Sequence, residues 1–91
     1  MKIRYTPSAA NQLDKILTYI AERSPQGAVK VKTRIRNLIN LVASHPYIGA
    51  ITTDPGIRRV NTSPYPYLIF YEIGDDEIII RRIRHMAQKP N

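Results

Sequence analysis

Tyr67-Leu68-Ile69-Phe70-Tyr71-Glu72-Ile73, then Gly74-Asp75-Asp76, then Glu77-Ile78-Ile79-Ile80-Arg81-Arg82-Ile83-Arg84 is the stretch that decides the fold. The first run is aromatic and β-branched, which predicts a strand. Its near-continuous apolarity predicts a central strand covered on both faces. Gly74-Asp75-Asp76 is a hairpin turn, and Glu77 to Arg84 is the returning strand. Strand alternation places Arg82 and Arg84 on one face and Arg81 on the other. Tyr67 and Tyr71 share the face of Ile69, so both are expected in the core. Upstream, Ile57-Arg58-Arg59-Val60 reads as a further short strand, and Ser63-Pro64-Tyr65-Pro66 as the turn that follows it. These three strands can pair as an antiparallel meander.

Working back toward residue 1, Tyr47 to Gly56 reads as a loop, with glycine at 49 and 56 and proline at 55. His45-Pro46 ends the element before it, because a residue preceding proline avoids the α region. Ala28, Val31, Ile35, Leu38, Ile39 and Val42 form a helical stripe running to about Ser44. Ser24-Pro25 starts that helix with a hydroxyl acceptor and a proline in the first turn. Leu13, Ile16, Leu17 and Ile20 mark an earlier helix, capped by Thr6 or Ser8, begun by Pro7 and ending near Glu22 or Arg23. Two helices joined so closely form an antiparallel hairpin. Lys2-Ile3-Arg4-Tyr5 alternates polar and apolar and is stopped by Thr6-Pro7, which predicts a first strand. The order is β-α-α-β-β-β. The expected class is α+β, with the hairpin packed on a small, mostly antiparallel four-stranded sheet.

Composition limits what such a domain can do. At 91 residues the chain is expected to be one domain spanning 1–91, and its 43% hydrophobic and 23% charged content is that of a folded protein. There is no cysteine, which excludes disulfides, thiolate metal sites and cysteine nucleophiles. His45 and His85 lie far apart in sequence, so no metal site is expected, and no cofactor. No apolar run reaches the ~18–20 residues of a membrane span. Met1-Lys2-Ile3-Arg4-Tyr5 has no apolar signal-peptide region. The expected address is the cytoplasm, with no membrane partner. The net charge is +7, with eight basic and two acidic residues in 1–50 and six basic and five acidic in 51–91. Such a balance favours polyanions or an acidic partner protein.

The element order in a basic chain of this length, together with four local signatures, resembles the RelE/ParE superfamily of toxins from type II toxin–antitoxin pairs. The signatures are Tyr5-Thr6-Pro7-Ser8-Ala9-Ala10 followed by Leu13, Ile16, Tyr19 and Ile20; His45-Pro46-Tyr47-Ile48-Gly49; Ile57-Arg58-Arg59 with Pro66 to Ile73; and Ile78 to His85. The resemblance covers nearly the whole chain. It implies a toxin of the plasmid-stabilisation type and a cognate antitoxin. That antitoxin's acidic, amphipathic C-terminal segment wraps the toxin, and its N-terminal part binds the promoter DNA. The RelE-like branch cuts mRNA on the ribosome; the ParE-like branch poisons DNA gyrase and is not a nuclease.

Cleavage of RNA through its 2′-hydroxyl needs a base, an acid and cationic donors for the charge that develops. The RelE-like pattern has an arginine after the tyrosine of the central strand, where this chain has Leu68 after Tyr67. Another arginine of that pattern falls in the C-terminal tail, where Gln88 stands beside Lys89. The loop 47–56 has no lysine, and Asp54 is its one charged residue. The departure at several roles together favours the ParE-like branch, with no catalytic residues expected. The substitute nuclease set is His85 as base or acid, Arg58, Arg59, Arg82 or Arg84 on phosphate, and Tyr65 or Tyr67 stacking or donating. On the ParE-like reading, Arg81, Arg82, Arg84 and His85 carry binding to gyrase, and an apolar groove beside the helical hairpin receives the antitoxin. Arg58 and Arg59, with the helical Lys30 and Arg34, pair the antitoxin's acids. Plainer roles stay open. His85 can simply pack beside the tail, and the strand arginines can pair with Asp75, Asp76 or Glu77. Lys30, Lys32, Arg34 and Arg36 can be a wet helix face. An inactive or nucleic-acid-binding module of the same fold is the remaining alternative.

Overall fold

The computed structural model describes residues 1–87. The elements are β1 (Lys2–Tyr5), α1 (Pro7–Arg23), α2 (Pro25–Ser44), a 3₁₀ turn (Pro46–Ile48), β2 (Ala50–Ile51), β3 (Ile57–Asn61), β4 (Tyr67–Ile73) and β5 (Glu77–His85). The helix starts follow the capping chemistry. The Thr6 hydroxyl accepts from the Ala9 N–H at 3.1 Å ahead of Pro7. Ser24 alone joins the helices: its N–H caps Ile20 of α1, and its hydroxyl accepts from the Gly27 N–H of α2 at 3.0 Å.

The sheet has five strands in the order β1-β5-β4-β3-β2. β1 runs parallel to β5 and the other pairs are antiparallel. The fifth strand corrects the expected count of four. β2 lies within the expected loop and pairs Ala50 with Arg59 and Ile51 with Arg58. Two residues are too few to show an alternation. What holds them is tertiary: the Tyr71 hydroxyl of β4 donates to the Pro46 carbonyl at 2.7 Å and accepts from the Gly49 N–H at 2.9 Å.

Both helices lie on one face of the sheet. The core joins Val31, Ile35, Leu38, Ile39 and Val42 of α2 and Ala9 of α1 to Tyr67, Ile69, Tyr71, Ile78, Ile80 and Ile83. The α1 stripe of Leu13, Ile16, Leu17 and Ile20 is only half-buried, so α2 supplies most of the helical side.

The expectation that β4 is covered on both faces holds only in part, because no layer of helix or strand lies on the second face. There Phe70 is 5% exposed because the Arg82 and Arg84 guanidiniums lie over its ring, 4.5 and 5.2 Å from the centroid. A β-bulge sets this arrangement. Phe70 pairs with Arg82 and Tyr71 with Ile80, so Arg81 is the extra residue. Ile78 and Ile80 face the helices; strict alternation would have turned Arg82 and Arg84 inward after them. The added residue returns Ile83 to the core and leaves both arginines outside.

Burial pushes the phenols of Tyr5, Tyr67 and Tyr71 above their ordinary value of 10.0. A raised folded-state pKa gives stability that is complete below pH ~10 and lost as pH rises through the folded values. Thermal melting should therefore be flat from pH 7 to 9 and fall above pH ~10, less steeply in Tyr71→Phe. An equal alkaline fall in that variant would exclude Tyr71 as a contributor.

Candidate functional site

The open face of the sheet collects charge. Cross-strand register places Arg59 of β3, Phe70 of β4 and Arg82 of β5 side by side. Neighbouring strands lie ~4.8 Å apart, so the backbones carrying Arg59 and Arg82 are separated by ~10 Å across Phe70. Arg84 follows on the same face, paired in register with Leu68. Two shallow hollows meet here. One, of about 320 Å³, is lined by Thr52, Thr53, Asp54, Arg59, Phe70, Arg82 and Arg84, with Ile51 at its rim. The other, of about 660 Å³, shares Arg59 and Arg84 and continues over Asn61, Leu68 and Met86 to Ile48 and Leu38.

Among the described residues no carboxylate forms an ion pair with Arg59 or Arg82. Arg81 differs: its guanidinium pairs with Glu72 at 2.9 Å. This corrects the expected pairing with Asp75, Asp76 or Glu77 across the turn. It also brings Arg81 to the same face as Arg82 and Arg84, because the bulge breaks the alternation. Glu77 is taken by Arg4 through two hydrogen bonds, 3.0 and 3.2 Å. That contact holds the Glu77 carboxyl below its usual range.

The structure separates the substitute nuclease set. Arg59 and Arg82 share the open face. His85 pairs in register with Tyr67 on the helix side, its ring edge-on to the Tyr67 ring at 5.4 Å. Its Nδ1 accepts from the Ala87 N–H at 3.0 Å. Tyr65 lies in the turn before β4, beside a groove of about 380 Å³ that it forms with Val29, Lys30, Thr33, Arg34 and Pro64. Arg34 crosses to that turn, donating from Nε to the Ser63 carbonyl at 2.9 Å.

Arg58 and Arg59, expected to act together, point to opposite faces. Arg58 donates to the carbonyls of Gly49 at 2.8 Å and Tyr47 at 3.3 Å and lies over the Tyr47 ring. It braces the 3₁₀ turn. Gln88 and Lys89 lie outside the described residues. Sequence reasoning missed Phe70 as the platform of the arginine cluster and Tyr71 as the anchor of the loop. The spacing of Ile78, Ile80 and Ile83, two and then three, is the one signal that could have revealed the bulge.

Guanidiniums arranged this way bind anions through paired N–H donors. Among the described residues no histidine, tyrosine or lysine lines either hollow. No group of three or more His, Cys, Asp or Glu among them is placed to hold a metal ion, and no helix is long and apolar enough to cross a membrane.

The fold is that of a solved chain from the chromosomal ParDE toxin–antitoxin system of P. aeruginosa, with a TM-score of 0.82 at 23% identity over 96% of this chain and 97% of that one. Among curated proteins, a putative toxin Y4kP of Sinorhizobium fredii is 31% identical over 88 residues, covering 97% of this chain and 91% of its own. Toxin RelE2 of Caulobacter vibrioides is 31% identical over 87 residues, covering 96% and 97%. The class is thus the toxin half of a type II toxin–antitoxin pair, which has a cognate antitoxin as partner. The chain belongs to the family described as the ParE toxin of the type II toxin–antitoxin system parDE, whose model matches residues 3–90.

Proposed function

We propose that this toxin, a single domain over 1–91, acts in the cytoplasm by binding DNA gyrase, without cleaving RNA. The observation that carries this reading is the make-up of the open face. Arg59, Arg82 and Arg84 meet there, but His85 and Tyr65, the groups that would move protons, lie elsewhere. Arg59 joins Arg82 and Arg84 as target-binding residues. Arg81, matched by Glu72, contributes less, and His85 stabilises the strand end. Lys30 and Arg34, bordering the groove beside Tyr65, receive acids of the antitoxin. The promoter sequence is read by the antitoxin.

The test is pulse labelling after induction without antitoxin. DNA synthesis should stop first while translation continues. Translation stopping first would instead support ribosome-dependent mRNA cleavage.

A further inference from the structure

We propose that the open face grips duplex DNA by its phosphate backbone, so that the toxin engages gyrase where the enzyme holds DNA. The consequence for gyrase rests on the function proposed above; the DNA contact rests on the face alone. Arg59 and Arg82 stand on either side of Phe70, and among the described residues neither is matched by a carboxylate. Among the described residues, Asp54 is the one acid lining the hollow they share. Their backbones stand ~10 Å apart, which lets the two long side chains reach out to phosphates on both rims of a minor groove ~6 Å wide.

The choice of duplex over single strand follows from Phe70. Single strands are held by stacking splayed bases on open aromatic faces. Phe70 is the face's one aromatic ring among the described lining residues, and it is 5% exposed, roofed by Arg82 and Arg84. The face offers cations and hydroxyls but no open aromatic ring for a base, which suits a nucleic acid whose bases are already stacked inside.

Fluorescence anisotropy with a labelled mixed-sequence DNA duplex tests this between 50 and 200 mM salt. Three phosphate contacts, from Arg59, Arg82 and Arg84 of the shared hollow, give a log–log slope of ~−2.7, an affinity loss of ~40-fold over that range. Arg59→Gln and Arg82→Gln should each bind more weakly and flatten the loss to ~12-fold. Lys32→Gln removes the same charge from the exposed side of α2 and should behave as the unaltered protein. Unchanged circular dichroism keeps the comparison valid. Equal weakening in all three variants would reduce the effect to net charge and overturn the proposal, as would tighter binding to single-stranded RNA of the same length.

Supercoiling by purified gyrase is measured in parallel. Inhibition that stays at full strength in Arg82→Gln although its DNA binding is weakened would overturn the proposal while the gyrase reading stands. Duplex binding through these arginines by a toxin that leaves gyrase untouched would sustain the DNA contact and end the gyrase reading.

Discussion

Gly49→Ala should lower the stability of this toxin by about 3 kcal/mol, a fall of roughly 12–20 °C in melting temperature. A methyl group at residue 49 would stand 2.5 Å from the Tyr71 hydroxyl, 2.8 Å from the edge of its ring and 3.0 Å from the Arg59 carbonyl. Tyr71 is wholly buried and cannot retreat. The loop must therefore move, which breaks the hydrogen bonds that Tyr71 makes to Pro46 and Gly49. Gly49 has φ −73°, a conformation open to any residue, so space alone demands glycine. Gly56 is the opposite case: φ is +79° and nothing lies within 4 Å. Gly56→Ala should lose only ~1 kcal/mol through backbone strain. Adding Tyr71→Phe to Gly49→Ala should recover part of the loss, because the nearest clash is removed. Melting curves of the two glycine variants separate the effects; equal losses would contradict this account of Gly49.

Reversing Arg59 and Arg82 together to glutamate should abolish growth inhibition and leave the fold intact. Both side chains are exposed, and neither joins an ion pair among the described residues. The two reversals lower the net charge of +7 by four. Reversing Lys32 and Arg36, both exposed on α2, makes the same change in net charge and should leave cells inhibited. Colony counts on inducing plates decide it. Growth rescued equally by both pairs would mean that toxicity follows overall charge rather than the open face.

The elements were legible where hydrophobic periodicity ran long enough to be read. The α2 stripe, the caps at Thr6 and Ser24, and the β4–β5 hairpin all lie where the residues put them. Ala50–Ile51 was not legible, because a two-residue strand has no period and rests on Tyr71, twenty residues further on. The residue types of the candidate site were readable, but their assembly was not. Arg58 and Arg59 are neighbours in sequence yet face opposite ways. Arg59 and Arg82 are far apart in sequence yet flank one ring. Cross-strand register decides both, and it depends on the bulge at Arg81.

The parallel pairing of β1 with β5 has a consequence for the birth of the molecule. Lys2 pairs with Glu77 and Tyr5 with Ile80, so β1 has no strand to pair with until the chain reaches residue 77 and is fully paired only at residue 80. The helical hairpin, built from local contacts, can form early; closing β1 against β5 spans most of the sequence and is slow by nature. A stalled ribosome or a nonsense codon before residue 77 yields a fragment lacking the central partner of β1 and β4 and, with it, Arg82 and Arg84. Such a fragment exposes its apolar interior and is a ready substrate for proteases. A copy cut short before residue 77 therefore lacks both the strand that closes the sheet and the arginines proposed to carry toxicity.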